Sequence, residues 1–232
     1  LELGVRLMGK VYPDTVEVLE LDGLTKEEAE LLPLLGMLKE LHLTDPQLSA
    51  KRLTSMQKKY PHVKMSWEVE VFGQTVRSDA EEVDLSNVVV TDLAEIEQGM
   101  AYLPDAKQLT LGLCGVDNPD WGASRSKLAQ SAIENEDLSA YRDRVRDRYK
   151  VVWTVRLGPS IALRTDADNF MPNHYGVGRL FNDYAYNLRY CEEMVCLDVG
   201  HMTLTDISFV EFMPNLKYLI LAWTEVQYIE PI

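Results

Sequence analysis

Apolar residues recur along the chain in steps of three and then two positions, with polar residues between and after them. Alternation over the last two apolar positions of each segment predicts a short β-strand with one buried face. Within each adjacent pair the segments lie 22, 26 and 22 residues apart, which predicts a repeated strand-and-return unit. The pattern occurs in six segments: Val16/Leu19/Leu21, Leu38/Leu41/Leu43, Ala80/Val83/Leu85, Ala106/Leu109/Leu111, Met194/Leu197/Val199 and Leu216/Leu219/Leu221.

A longer period is superimposed on these segments. Trp67, followed by alternating valines and a glycine, recurs as Trp153 with a similar continuation. Arg-Ser-Asp-Ala at 77–80 recurs as Arg-Thr-Asp-Ala at 164–167, so the offset is 86 or 87 residues. Residues 12–15 resemble the end of a third copy. Each module is therefore predicted to contain a Trp-bearing strand, a glycine turn, a return strand and two strand-containing coils.

Helices are predicted between these strands. Three pairs of residues carry the capping patterns that mark helix starts: Thr25 with Glu28, Asp92 with Glu95, and Asp45 with Pro46. The first of these helices is expected to run through about residue 35. A fourth is predicted over 137–149, with an apolar face formed by Leu138, Tyr141, Val145 and Tyr149.

Two segments break the period. Residues 117–134 are interpreted as an insertion, and residues 168–190 as a second irregular segment. The second segment is rich in aromatic residues and has two interpretations. It is either a protruding recognition loop or an amphipathic helix from about Asn182 that buries Leu188. The aromatic residues concerned are Tyr175, Phe181, Tyr184, Tyr186 and Tyr190.

The charge balance narrows the choice of partner. Acidic residues outnumber basic ones 37 to 23, and the formal net charge is -14. A field of this sign repels phosphate backbones, so we expect no nucleic-acid partner and favour a protein or peptide that is neutral or basic. No run of about 18 apolar residues exists, so no membrane-spanning segment is predicted.

Residues 77–86 and 191–232 resemble bacterial leucine-rich-repeat proteins. The coil from Leu204 to Leu221 is similar to the internalin-type repeat, and the Trp strand with Arg-Thr-Asp-Ala is similar to modules in leucine-rich-repeat proteins of the Gram-positive envelope. The sequence departs from that pattern where an asparagine ladder is expected. His201 and Trp223 occupy two of those positions, and only Asn87 keeps the asparagine.

The resemblance implies an α/β leucine-rich-repeat solenoid, with short parallel strands on a concave face and helices and turns on the convex face. Residues 1–232 would form a single array with modules at about 1–57, 58–146 and 147–232, the second containing the insertion 117–134. We expect the array to be cut at both ends, since the chain starts without Met and stops within a repeat. The resemblance also implies a location at the cell envelope or outside the cell, although this chain shows no signal sequence.

The binding face follows from the strand alternation, because residues between the buried leucines point to the concave surface. Acidic residues on the early strands would steer a basic segment, and apolar residues on the last strand would anchor it. The alternative is that the last strand's apolar residues stack on a further coil. The predicted partner-binding residues are Glu20, Glu40, His42, Glu82, Asp84, Asp198, Tyr218, Ile220 and Trp223.

Catalytic and metal chemistry find little support in the sequence. The four histidines, His42, His62, His174 and His201, are scattered and lack zinc-ligand spacing. The Asp166-Ala-Asp168 motif lacks the glycine of a calcium loop, so a structural turn is the favoured interpretation. We therefore predict no enzyme activity, no cofactor and no metal. The favoured function is a scaffold that binds a protein or peptide, and the alternative is a structural spacer or capping region that positions another domain.

Overall fold

The computed structural model of the protein describes residues 4–115, 129–158, 161–172 and 182–230. The chain forms two units. The first unit comprises Leu1–Val83 and Leu93–Lys107, and the second comprises Asp84–Asp92 and Gln108–Ile232. No helix in the described part of the chain is long and apolar enough to cross a membrane.

The first unit contains a hairpin, a four-stranded sheet and short helices. Strands β1 and β2 pair antiparallel, β3, β4 and β5 pair parallel in that order, and β6 pairs antiparallel with β5. The strands are β1 Gly4–Leu7, β2 Lys10–Pro13, β3 Val18–Leu21, β4 Glu40–Leu43, β5 Lys64–Val71 and β6 Gln74–Arg77. The helices are α1 Lys26–Ala29, α2 Ala50–Lys59 and α3 Leu93–Met100, with a 3₁₀ turn at Leu32–Leu34.

One face of this sheet forms the core of the first unit. Because side chains alternate across a strand, residues in register on three strands form rows that all point inward. Leu19, Leu41 and Met65 form one such row, and all are buried. Leu21, Leu43 and Trp67 form the next. The apolar alternation in the sequence therefore selects this face for burial.

The second unit contains two sheets. The larger has the order β11-β10-β8-β7, with β9 added to β8, and the smaller is the parallel sheet β12-β13-β14. The strands are β7 Glu82–Leu85, at the division between the units, β8 Gln108–Cys114, β9 Gln130–Ser131, β10 Lys150–Arg156, β11 Ala162–Arg164, β12 Asn169–Phe170, β13 Cys196–Asp198 and β14 Tyr218–Ile220. The helices whose bounds lie in the described part of this unit are α4 Asn135–Val145 and α5 Asn182–Ala185, with 3₁₀ turns at Tyr186–Tyr190 and Ser208–Phe212.

The longer sequence period is also a repetition of contacts. In the β5–β6 hairpin, the Trp67 N–H donates to Ser78 Oγ at 3.0 Å, and the Ser78 N–H donates back to the Trp67 carbonyl at 2.7 Å. In the β10–β11 hairpin, Trp153 and Thr165 form the same pair of bonds, at 3.2 and 2.9 Å. We call each of these pairs the Trp clasp. The β1–β2 hairpin stands where the third, degenerate copy was predicted.

An arginine–aspartate pair follows each Trp clasp. Arg77 donates two hydrogen bonds to Asp79, both at 3.0 Å, and Arg164 donates two to Asp166, at 2.9 and 2.7 Å. Two parallel bonds to one carboxylate fix the turn that leaves the hairpin. The structural role predicted for Asp166 is confirmed.

The predicted leucine-rich-repeat solenoid is wrong. The chain is α/β, but it forms several small mixed sheets that are not arranged as a solenoid. The return strands β6 and β11 pair antiparallel and close one edge of their sheets, so no parallel ladder continues past them. Nor is there one concave face on the second unit's larger sheet, because Thr110, Val152 and Thr154, which would line it, are buried.

The helix predictions have mixed outcomes. The capping box at Thr25 and Glu28 is confirmed, but its helix ends at Ala29 and gives way to the 3₁₀ turn that contains Pro33. Proline lacks an N–H and resists the interior of a helix, which explains the early end. The start predicted at Asp45 and Pro46 is wrong, since Ser49 caps α2 instead. The burial predicted for Leu138, Tyr141 and Val145 on α4 is confirmed, but the helix ends at Val145, so Tyr149 is buried beyond its end and not on its face.

The two irregular segments are described only in part. Most of 117–134 lies outside the described residues, and its last part supplies β9, which pairs with β8. In 168–190, Tyr175 and Phe181 lie outside the described residues. At the end of that segment Leu188 and Tyr190 are buried, which supports the helical interpretation over the protruding loop there.

We expect loss of either Trp clasp to destabilise the fold. Ser78→Ala or Thr165→Val leaves the buried main-chain N–H of the tryptophan without its acceptor. The expected cost is about 1–3 kcal/mol in the free energy of unfolding. Urea-induced unfolding of each variant measures this cost. Thr203→Val, an exposed threonine in the second unit, is the control and should change stability by less than about 0.5 kcal/mol. Equal stability of Thr165→Val and the control would contradict the role of the clasp.

We also expect the Arg164–Asp166 pair to contribute stability that depends on pH. Hydrogen bonding from Arg164 lowers the pKa of Asp166 below its ordinary value of 3.8. A lowered pKa in the folded state means stabilisation that is present above the ordinary value and lost as pH falls through the lowered one.

Asp166→Asn should therefore cost about 0.5–1 kcal/mol at neutral pH and less as the pH falls below about 4, measured by urea unfolding across that range. Asp79→Asn should cost less at neutral pH, because the Asp79 side chain is more exposed, 36% against 19%. A cost for Asp166→Asn that grows toward acid would refute this assignment.

Candidate functional site

The predicted residues on the first unit lie on the side of the sheet opposite the core. Glu40 lies in register between Val18 and Lys64, and all three are exposed. His42 lies in register next to Glu20 on β3 and Ser66 on β5. The structure therefore brings Glu20, Glu40 and His42 together on one surface, which we call the polar sheet face.

His42 is held by two neighbours on β5. Its Nδ1 is 2.9 Å from Ser66 Oγ, and its Nε2 is 3.4 Å from Glu68 Oε1. These contacts fix the imidazole plane between the strands. His42 thus contacts both Ser66, beside it on the polar sheet face, and Glu68, further along β5.

The first unit also contains an acidic groove with a volume of about 710 Å³. One wall is the segment Thr44–Pro46 that follows β4, the second is the outer half of the β5–β6 hairpin, and the third is α3. Four carboxylates contribute to its lining, and none of the described lining residues is Lys, Arg or His. The carboxylates are Asp45, Glu68, Glu70 and Glu95.

Two contacts set the position of α3 against β5. Gly99 lies so close to Val71 that a Cβ at position 99 would come within 2.8 Å of Val71 Cγ2. The Trp67 indole N–H donates to the Tyr102 carbonyl, just after α3, at 2.7 Å. The absence of a side chain at Gly99 and the indole bond together fix the third wall of the groove.

The groove carboxylates are spread over its three walls. Among the described residues, no group of three or more His, Cys, Asp or Glu side chains is arranged to hold a metal ion. Dispersed carboxylates suit a ligand with several separated positive charges better than a single cation. The lining also includes the half-buried Val69 and Tyr102, which offer apolar surface beside the charges.

Two of the predicted acidic residues belong to the second unit and make local structural contacts. The Asp84 carboxylate accepts a hydrogen bond from the Ser86 N–H at 2.8 Å, and the Asp198 carboxylate accepts one from the Gly200 N–H at 2.9 Å. Such bonds stabilise the turn after a strand. Glu82, on β7, is exposed.

The predicted apolar anchors lie on and after β14. Tyr218, Ile220 and Trp223 are 64%, 44% and 83% exposed. The Trp223 ring stacks on His201, with ring centroids 5.9 Å apart and planes inclined by 10°. The His201 ring covers one face of the indole, and the rest of its apolar surface is exposed in the structure described.

Two cysteines are buried in the second unit. Burial raises the pKa of the Cys114 thiol to about 12, and burial likewise raises that of Cys191 to about 12. Both side chains are therefore protonated thiols at neutral pH, and a thiol is a weaker nucleophile than a thiolate.

Neither the family models nor the curated proteins compared with this sequence gave a match. The assignment of a site therefore depends on the geometry of the chain itself. Sequence reasoning identified the polar sheet face but missed the acidic groove. The available signal was the alternation of Glu68 and Glu70 on the exposed side of the Trp-bearing strand.

Proposed function

We propose that the protein binds a basic, extended segment of another protein through the acidic groove of the first unit. The observation that carries the proposal is the lining of that groove, which has four carboxylates and no basic side chain among its described residues. Its volume of about 710 Å³ lies within the range of roughly 300–1,000 Å³ that is usual for binding sites.

Lysine and arginine fit both parts of the lining. Their long aliphatic stems pack on apolar surface while their charged ends stay near solvent or a carboxylate. In the groove, the half-buried Val69 and Tyr102 would contact the stems, and Glu70 and Glu95 would pair with the charges. Because these groups lie on different walls, one basic side chain would engage only some of them.

The polar sheet face extends this proposed footprint. Glu68 lines the groove and also contacts His42, so the two surfaces share a residue. Glu20 and Glu40 continue the negative charge along the sheet. Two bases also border this face: Arg77 is paired with Asp79, whereas Lys64 is exposed in register with Glu40 and offsets part of that charge.

The net charge of -14 supports the same choice of partner. A field of this sign accelerates the approach of a basic protein and opposes that of a nucleic acid.

Binding without catalysis, a location at the envelope and kinship with leucine-rich-repeat proteins remain predictions from the sequence. The spacer role is the competing prediction, and it requires no ligand in the groove.

Isothermal titration of the protein with a short Lys/Arg-rich peptide tests the proposal. We expect saturable binding that weakens as salt is raised, and none to a peptide of equal length with Gln at each basic position. Neutralising two groove carboxylates, Glu70→Gln with Glu95→Gln, should weaken binding roughly tenfold, because each exposed pair contributes up to about 1 kcal/mol.

The matched control removes the same charge outside the groove. Glu27→Gln with Asp105→Asn neutralises two exposed carboxylates of the first unit and should change affinity by no more than about twofold. Equal loss in both double variants would show that only net charge attracts the peptide. Absence of saturable binding by the native chain would reject the proposal in favour of the spacer role.

A further inference from the structure

A second opening lies in the first unit, at the other ends of the strands that border the acidic groove. It has a volume of about 240 Å³ and is situated where β4 and β5 begin, beside the 3₁₀ turn Leu32–Leu34. Its walls are mainly apolar, and we call it the apolar cleft. The aliphatic side chains that line it are Leu32, Leu35, Leu38, Val63 and Met65.

Tyr60 brings a polar group to this lining. Tyr60 is a buried residue, with only 8% of its surface exposed, and its hydroxyl proton has no acceptor among the residues that the structure describes. Burial of an unpaired hydroxyl is unfavourable, and such groups are uncommon in folded proteins. Lys59 Nζ lies 5.1 Å from the Tyr60 ring centroid, but an ammonium group has no lone pair and cannot accept the hydroxyl proton.

The charges around the cleft differ from those of the chain as a whole. No Asp or Glu is among the described residues that line it, although the chain has 37 acidic residues. The Tyr60 hydroxyl and the Glu30 carboxylate raise the pKa of Lys59, so this neighbour of Tyr60 is a cation at neutral pH. The His62 ring meets the Tyr60 ring edge to face, at 6.5 Å.

We propose that the apolar cleft binds a small aliphatic carboxylic acid, with the alkyl chain between the leucines and the carboxylate accepting a hydrogen bond from Tyr60. A carboxylate supplies the acceptor that the hydroxyl lacks, and Lys59 supplies a positive charge near the tyrosine. Lys59 Nζ lies 3.5 Å from Glu30 at an exposed position, so it can reorient toward a ligand. A basic peptide has neither the negative charge nor the alkyl tail that this site favours.

Isothermal titration with octanoate tests this second site in the full chain. We expect saturable binding by the native protein, about tenfold or more weakening in Tyr60→Phe, and weaker binding of the neutral analogue octanol. Tyr12→Phe, a half-buried tyrosine of the same unit outside the cleft, should bind octanoate as the native chain does.

A stability measurement separates a binding role of Tyr60 from a structural one. Without ligand, Tyr60→Phe removes a buried hydroxyl that lacks an acceptor, so its urea midpoint should be higher than that of the native protein. A lower midpoint would show that the hydroxyl has a partner within the protein, and would overturn the proposal. So would unchanged octanoate binding in Tyr60→Phe, or no saturable binding by the native chain. The basic-peptide titration is independent of each of these outcomes.

Discussion

The two hydrogen bonds of the Trp clasp, one to a side-chain hydroxyl and one between main chains, are the constraint on which much of the structure depends. They hold Trp67 and Trp153 in the cores of their units, and the two indoles then donate to different partners, the Tyr102 carbonyl after α3 and Asn135 Oδ1 on α4. Both hairpins have the same two clasp bonds but differ in the group that the indole N–H bonds. The same kind of hairpin therefore positions two unlike helices. In the first unit, that arrangement fixes the third wall of the acidic groove. One wall of the groove therefore depends on a tryptophan that is 1% exposed.

Local features of this fold could be predicted from sequence because their causes are local. Apolar alternation identified the strands, the letters of the Trp-bearing module identified the hairpins, and Thr25 with Glu28 identified a cap. The prediction was wrong about how the strands pair. The return strand was predicted, but the consequence of its antiparallel pairing, a closed sheet edge that is incompatible with a solenoid, was not. The acidic groove was missed for a related reason, since Glu68 and Glu95 line one groove because Gly99 lets α3 approach β5 closely and Trp67 bonds the Tyr102 carbonyl.

Charge and apolar surface are separated within the first unit. The carboxylates collect near the ends of the parallel strands β4 and β5, and the apolar cleft with its unpaired tyrosine lies where those strands begin. Parallel strands make such polarity easy to build, because every strand presents the same end at the same edge. The acidic side chains of Asp84 and Asp198 show the limit of reading charge from sequence alone. They looked available for a partner, yet each is used by its own turn.

The hairpins also bear on how such a chain can change over evolutionary time. An open parallel sheet exposes unpaired N–H and carbonyl groups along its last strand, which invites pairing with other molecules. Strands β6 and β11 cover that edge with a partner from the same module, and each ends in a charged arginine. Each hairpin closes the sheet begun by the two strands before it, β3 and β4 or β7 and β8, so two strands and the hairpin that follows them can be duplicated together without leaving that edge bare. The recurrence of the Trp-bearing hairpin at an interval of 86 residues is the kind of sequence record that such self-contained duplication leaves.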